Sequence, residues 1–264
     1  MQTKQISPWP YPQIFAHRGA GIHAPENTLA AMRDGYARGY RAVEFDVMLS
    51  ADDVPILMHD PVFGRTVLGL GQVEQFSAQQ LALMDAGSWH SAIFRGEPVP
   101  SFEDVARYCT HQMIVMNIEI KPSPGSDAKT GQMVARQLAQ LRSQLPALNT
   151  PQLAPLVSSF SSEALNAFRT VDNTTRCGHL FDRIPDDWLK ILVSLDCQAL
   201  HCNWKHLTPE TATAIKSAAY WLFCYTVNDP LKARELVQLG VDGFCTDRLD
   251  LFDPAQAMPV EYFS

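Results

Sequence analysis

Between Glu44 and Asp60 the chain sets an alternate pair of carboxylates, Glu44 and Asp46, and an imidazole, His59, into one short stretch. Glu44-Phe45-Asp46-Val47-Met48-Leu49 alternates charge with apolar bulk, breaks at Ser50-Ala51-Asp52-Asp53, and resumes as Val54-Pro55-Ile56-Leu57-Met58-His59-Asp60. Side chains alternate faces along a strand, so Glu44 and Asp46 share one side while Val43, Phe45 and Val47 share the other. So short a turn returns the second strand antiparallel, because a parallel return needs a crossover of about a dozen residues or more. A closed hairpin then brings His59 near Glu44. Further along, Asn117, Glu119 and Lys121 fall on one face of an apolar run, and His17-Arg18 ends the first one.

Carboxylates inside apolar strands are costly unless paired or bound to metal. Three of them from neighbouring strands, Glu44, Asp46 and Glu119, make a hard, oxygen-rich site suited to Mg2+, Ca2+ or Mn2+, and no cysteine falls in the cluster. Taken singly, each also reads as a solvated strand end, and Glu119 and Lys121 as an ion pair. His17 and His59 flank the same cluster and can divide general-acid and general-base work, since imidazole titrates near neutral pH. Arg18 offers planar, multidentate donors to a phosphate, with Lys121 as a point charge opposite; its structural alternative is a salt bridge to Glu26. His201 and Asn203 share a strand face and are candidates to line a pocket. Tyr225, with Phe223 and Val227 in its inward set, is a candidate substrate wall. The remaining histidines read as structural.

The elements that must position these groups alternate. Strands are expected at residues 14–17, 42–49, 113–120, 154–160, 176–181, 198–203, 220–227 and 243–246, with helical segments between them, capped at Thr28, Ser101, Thr208 and Asp229. One intervening helix is expected from about Gly131. Strands alternating with helices mean parallel βαβ units, and eight such units predict a (β/α)8 barrel, a fold of ~250 residues. The second unit carries an insertion over residues 54–100: the returning hairpin arm, then a glycine-interrupted stretch with one helical piece near 77–84. In such barrels the active site lies where the strands end and the βα loops meet. The organisation expected is a single domain over residues 1–264.

Composition narrows the chemistry. Of 264 residues 46% are hydrophobic and 19% charged, enough apolar material for a substantial core. A net charge of -7 argues against a nucleic-acid platform, and leaves an anionic substrate to be met by a cation or a few placed basic groups. No run reaches the ~18 apolar residues of a membrane span, and the N-terminal stretch has no apolar signal core, so a cytoplasmic protein without stable membrane insertion is expected. The six cysteines are scattered singly and read as reduced, buried thiols. Nothing in the composition speaks to oligomeric state.

With these residues assembled, the sequence strongly resembles the glycerophosphodiester phosphodiesterase family, among the phosphatidylinositol phospholipase C-like barrels. The resemblance runs over His17-Arg18-Gly19, Pro25-Glu26-Asn27-Thr28, Glu44-Phe45-Asp46, His59-Asp60, Glu119-Ile120-Lys121-Pro122, Thr226-Val227-Asn228 and Thr246-Asp247. It covers roughly residues 9–251, and Asp85-Ala86-Gly87-Ser88-Trp89 is similar to the cytoplasmic bacterial branch. Many relatives carry tryptophan where Tyr225 stands, a departure that bears on the headgroup. The resemblance implies His17 and His59 as the acid/base pair, Glu44, Asp46 and Glu119 as ligands of one divalent cation (Mg2+ or Ca2+, Mn2+ being compatible), and Arg18 and Lys121 as phosphate binders. The implied reaction cleaves small glycerophosphodiesters such as glycerophosphocholine or glycerophosphoethanolamine to sn-glycerol 3-phosphate and an alcohol. Two alternatives remain open: a lysophospholipase D-like activity, for which Phe63, Val67, Leu68 and Leu70 would supply an apolar groove, and a non-catalytic barrel that binds the same diesters.

Overall fold

The computed structural model describes residues 8–255. Its barrel begins with β1 (Ile14–Ala16), which feeds the short helical turns of His17–Gly19 and Gly21–His23 and then α1 (Leu29–Ala37). After β2 (Ala42–Leu49) come the antiparallel β3 (Pro55–Leu57), α2 (Ala78–Leu81) and α3 (Phe102–His111). The regular part alternates β4 (Val115–Ile120), α4 (Asp127–Gln144), β5 (Leu156–Ser159), α5 (Ser162–Arg169), β6 (Arg176–Phe181) and α6 (Trp188–Ser194). It ends with β7 (Ala199–Asn203), α7 (Pro209–Ser217), β8 (Trp221–Tyr225), α8 (Pro230–Gln238) and β9 (Gly243–Thr246).

Hydrogen bonding runs β1-β9-β8-β7-β6-β5-β4-β2, and the β1–β2 pairing closes the ring, giving the expected eight-stranded parallel barrel. β1 reaches only to Ala16, where it pairs with Val43, so the upper half of the eight-residue β2 is left with an open edge. β3 fills it antiparallel, with Leu49 opposite Pro55 and Val47 opposite Leu57. Unpaired backbone in a buried strand is costly, and the hairpin arm satisfies it.

The two faces of the strands part as their alternation predicts. Val43, Phe45 and Val47 face outward into the main core with Met32 of α1 and Phe102 and Val105 of α3. Inside the barrel Phe15, Ala42, Val115, Leu156, Ala199, Trp221 and Phe223 form an apolar plug. Ala42, Val115, Leu156, Ala199 and Trp221 are the first residues of their strands, so the plug fills the N-terminal end and leaves the polar inward residues at the other.

Several expectations need correction. β1 stops before His17, which opens a helical turn rather than ending the strand. α4 starts at Asp127, ahead of Gly131; the glycine sits inside the helix because α5 packs there so tightly that a Cβ would lie 2.1 Å from the Ala164 carbonyl oxygen. Val227 joins the outer core with the helices instead of Tyr225's inward face. The glycine-interrupted stretch of the insertion is packed as well: Met58, Val67, Val73, Leu81, Ala86 and Val99 build a small core on Met48 and Ile56, with Phe63 packed against it. Phe63 and Val67 are thereby taken out of the expected groove, while Leu68 and Leu70 project into solvent.

One close approach sets the position of the first catalytic-end loop. Gly35 of α1 lies under the His17–Gly19 turn, and a Cβ there would sit 2.2 Å from the Gly19 carbonyl oxygen. Gly35→Ala is therefore expected to cost about 1–3 kcal/mol by urea denaturation, because backbone and not a flexible side chain must move. A variant as stable as the parent would show that the helix and the turn separate freely.

Candidate active site

Strand register brings the carboxylates together. β2 and β4 pair with Glu44 opposite Asn117 and Asp46 opposite Glu119, all facing inward at the C-terminal end of the barrel. Glu44, Asp46 and Glu119 each offer a carboxylate oxygen within 4.8 Å of the others. Glu44 and Asp46 are buried and the Glu119 side chain is 12% exposed. Burial, then repulsion from Asp46 and Glu119, raises Glu44 well above the ordinary glutamate range. The same two causes, burial and the charge of Asp46, push Glu119 up to about 8. Burial would raise Asp46 as well, but Lys121, Arg18, His59 and the Asn27 side chain prevail and hold it at about 2. Three such carboxylates ionise together only when more positive charge arrives than Arg18 and Lys121 supply. A divalent cation with a preference for oxygen ligands fits that donor set.

Each candidate histidine has a carboxylate of its own. Because Ala16 of β1 pairs with Thr246 of β9, the next residues, His17 and Asp247, emerge side by side. The His17 Nδ1 lies 2.6 Å from Asp247 Oδ1, and its Nε2 lies 3.8 Å from Glu44 Oε2. Asp247 is held below the usual carboxylate range despite burial, by the His17 contact and by Asn228. An ionised carboxylate only accepts, so Nδ1 carries the proton and Nε2 is left for chemistry. His59 repeats the arrangement, its Nδ1 2.6 Å from Asp60 Oδ1. Burial lowers the His59 pKa, partly offset by Asp46. Of the three clustered carboxylates, Asp46 is the one whose charge acts on His59, and the hairpin register puts the Met58 amide on the Asp46 carbonyl.

The basic groups cluster on Asp46. Lys121 Nζ is 3.3 Å from Asp46 Oδ1 and 3.9 Å from Glu119 Oε1. Arg18 Nε is 3.6 Å from Asp46 Oδ2, while its Nη1 donates to Glu26 at 2.8 Å, the structural bridge considered for it. Arg18 takes a left-handed backbone, φ 51°, and so turns its amide onto Glu44 Oε2 at 3.2 Å. Its Nε is buried and has no hydrogen-bond partner among the described residues.

A cavity of about 40 Å3 is lined by His17, Glu44, Asn117, Glu119, Leu180, His201 and Tyr225 among others. Tyr225 forms its wall with Phe160, the rings edge to face at 5.8 Å, and its hydroxyl donates to the Phe181 carbonyl. Burial pushes His201 down to about 3, so that imidazole is neutral. His59, Arg18, Asp46 and Lys121 do not line this cavity; they group beside it around Asp46. Asn203, paired with His201 on the sequence pattern, bonds Asp182 instead. A larger cavity of about 270 Å3 lies among Arg142, Leu148, Pro155 and Arg176, at the N-terminal ends of β5 and β6, and holds none of the candidate residues.

Four functional positions escaped the sequence reading. Asp60 and Asp247 stand within the His59-Asp60 and Thr246-Asp247 motifs; Asp60 follows His59 directly, which is a readable signal, whereas the contact of Asp247 depends on barrel closure. Asn27 donates to Asp46 Oδ2 at 2.8 Å and accepts from the Asp46 amide at 3.1 Å, and Thr28 beside it caps α1. Arg65, from the insertion, binds both oxygens of Glu26 at 2.7 Å and also Asp60. No local pattern marks it.

Comparison with known proteins places this geometry. The profile of the Glycerophosphoryl diester phosphodiesterase family matches residues 17–251. A glycerophosphodiester phosphodiesterase of Caldanaerobacter subterraneus is 26% identical over 89% of this chain and 93% of its own length. One of Bacillus altitudinis is 29% identical over 89% and 94%. The structure of an Oleispira antarctica phosphodiesterase in complex with the product sn-glycerol-3-phosphate has a TM-score of 0.82 and 30% identity, covering 91% of this chain and 95% of that one. With the barrel, the carboxylates and the motif residues all in place, the chain belongs to the glycerophosphoryl diester phosphodiesterase family and is a phosphoric diester hydrolase.

Proposed function

We propose that the chain acts as one phosphodiesterase domain that cleaves small glycerophosphodiesters to sn-glycerol 3-phosphate and an alcohol, using a divalent cation and two histidines. The observation that carries this reading is the crowded trio Glu44, Asp46 and Glu119, flanked by two imidazoles that each rest on a carboxylate. The sn-glycerol 3-phosphate held by the Oleispira antarctica relative supports the product assignment. Six unpaired, buried cysteines support a reducing, cytoplasmic setting. Among the described residues no helix is long and apolar enough to cross a membrane.

Glu44, Asp46 and Glu119 would hold Mg2+ or Ca2+, with Mn2+ also compatible; such an ion supplies positive charge to the phosphoryl oxygens where negative charge builds. Arg18 and Lys121 bind and orient the phosphate from the Asp46 side. With Nδ1 anchored on Asp247, His17 presents Nε2 to the reacting group, and His59, anchored on Asp60, does the same from the hairpin arm. One removes the proton of the attacking hydroxyl, and the other protonates the leaving alkoxide. The attacking hydroxyl is that of water or of the neighbouring glycerol carbon, and phosphorus NMR separates these by the cyclic phosphate that only the second forms. Tyr225 and Phe160 form an aromatic wall for the substrate. Leu68 and Leu70, 73% and 96% exposed, are the feature that favours a lysophospholipid substrate instead. A faster rate on lysophosphatidylcholine than on glycerophosphocholine would establish that second activity.

The main test is choline and ethanolamine release from a panel of glycerophosphodiesters. Chelation is expected to abolish turnover and added Mg2+, Ca2+ or Mn2+ to restore it; Glu119→Ala should lose both activity and the response. Turnover indifferent to chelation would remove the three-carboxylate metal site. His17→Ala and His59→Ala should each lower kcat by about 10^2- to 10^4-fold while circular dichroism and Tm stay near those of the parent. A normal rate in either variant would end the acid/base assignment. A third outcome concerns pH. Since Glu44 and Glu119 lie above the ordinary 4.5 in the folded chain, Glu119 at about 8, the metal-free fold binds more protons than the unfolded chain between those values. Their contribution to metal-free stability is therefore full below 4.5 and lost as pH rises through 8. Cation affinity should climb across that same window with release of protons, as calorimetry in buffers of different ionisation enthalpy will read. An affinity flat over the window would mean that the carboxylates ionise without the ion.

A further inference from the structure

His201 is fully buried on β7, between Leu180 of β6 and Phe223 of β8, and neither ring nitrogen has a hydrogen-bond partner among the described residues. Buried polar groups are almost always partnered, and those that are not call for a reason. His179, on the opposite face of the adjacent strand β6, shows the ordinary case: its Nδ1 meets the Leu180 carbonyl at 3.0 Å and its Nε2 the Ser162 hydroxyl at 2.8 Å. The barrel even makes room for the His201 ring. It lies tilted over Phe223 at 4.7 Å, and a Cβ on Gly178 would come within 2.5 Å of Nε2. The imidazole helps close the cavity that His17, Glu44 and Glu119 line from the catalytic end.

We propose that His201 is a specificity-determining residue of this site, engaging a hydroxyl of the glycerol moiety of the bound phosphodiester through a ring nitrogen. The proposal rests on the phosphodiesterase reading above. A neutral imidazole offers one donor and one acceptor, which a hydroxyl can use and which an anionic phosphate, lacking a donor, matches poorly. The neighbouring Glu44 and Glu119 disfavour an anion here, while Leu180, Phe223 and Tyr225 suit the carbons of a short polyol. At about 40 Å3 the cavity is of a size for a hydroxymethyl group.

The test is calorimetric binding of sn-glycerol 3-phosphate and of n-propyl phosphate, which has the same phosphate and carbon count without the hydroxyls, to the metal-loaded protein. The parent is expected to prefer the glycerol compound. His201→Leu should reduce that preference about tenfold with little change for propyl phosphate, and His201→Gln, which keeps a donor and an acceptor, should retain most of it. An unchanged preference in a folded His201→Leu overturns the proposal. Should the leucine variant fail to fold, 15N NMR of the parent decides: the His201 ring nitrogens must shift with sn-glycerol 3-phosphate and not with propyl phosphate, and the absence of that difference overturns it. Failure of the parent to hydrolyse any glycerophosphodiester would overturn the underlying reading and this proposal together, whereas hydrolysis with an unmoved preference removes the role of His201 alone.

Discussion

Three carboxylates forced within 4.8 Å of one another in a nearly dry barrel end are the constraint around which this site is arranged. Left to themselves they protonate, and the raised Glu44 and Glu119 show that tendency. The chain answers it only in part, concentrating Lys121, Arg18 and Asn27 on Asp46 so that one carboxylate stays ionised. The other two await charge from outside. A site so short of positive charge suits both a divalent cation and a reaction that builds negative charge beside it, which is why the proposed metal and the proposed phosphoryl chemistry belong together.

The flanking groups are tied to that centre through Glu26. It accepts from Arg18 of the first βα loop and from Arg65 of the insertion, and Arg65 also holds Asp60, the anchor of His59. The loop after β1 and the arm after β2 are thereby locked to each other across a partly buried ion-pair network. Opposing burial, the two arginines keep Glu26 below its usual range. Networks of this kind contribute less to stability than to holding a unique arrangement, and here the arrangement held is that of the hairpin arm against the catalytic loop. The insertion thus does more than decorate the barrel. Its own small apolar core gives Arg65 a firm base from which to reach Glu26 and Asp60.

The barrel was legible in the sequence because its strands and helices differ in period and its caps are explicit: Thr28, Ser101, Thr208 and Asp229 each accept an amide from the first turn that follows. Strand alternation likewise separated Glu44 and Asp46 from Val43, Phe45 and Val47, and register then placed Asp46 opposite Glu119. The hairpin arm and the helical piece of the insertion were legible, but its packing was not. Its apolar residues obey neither period, and the core they form depends on contacts between loops. Gly131 misled for a related reason: a glycine inside a helix looks like a boundary until a second helix is seen lying against it.

What the sequence alone determined was the inventory and its local order: the acidic pair on one strand face, the histidines, the motif that caps α1, and the eightfold rhythm that implies a common catalytic end. Those properties follow from neighbours along the chain, where alternation and capping act. Tertiary structure decided the pairings. Asp247 meets His17 only because β9 closes against β1, 230 residues apart in sequence. His59 comes within reach of the charge of Asp46 because the hairpin arm returns antiparallel to β2, and Arg65 reaches Glu26 only once the insertion has folded. His201 has no hydrogen-bond partner among the described residues because Leu180 and Phe223 flank it on the neighbouring strands. Proton position and charge balance depend on distances of a few ångströms between distant segments, and those distances are set by packing.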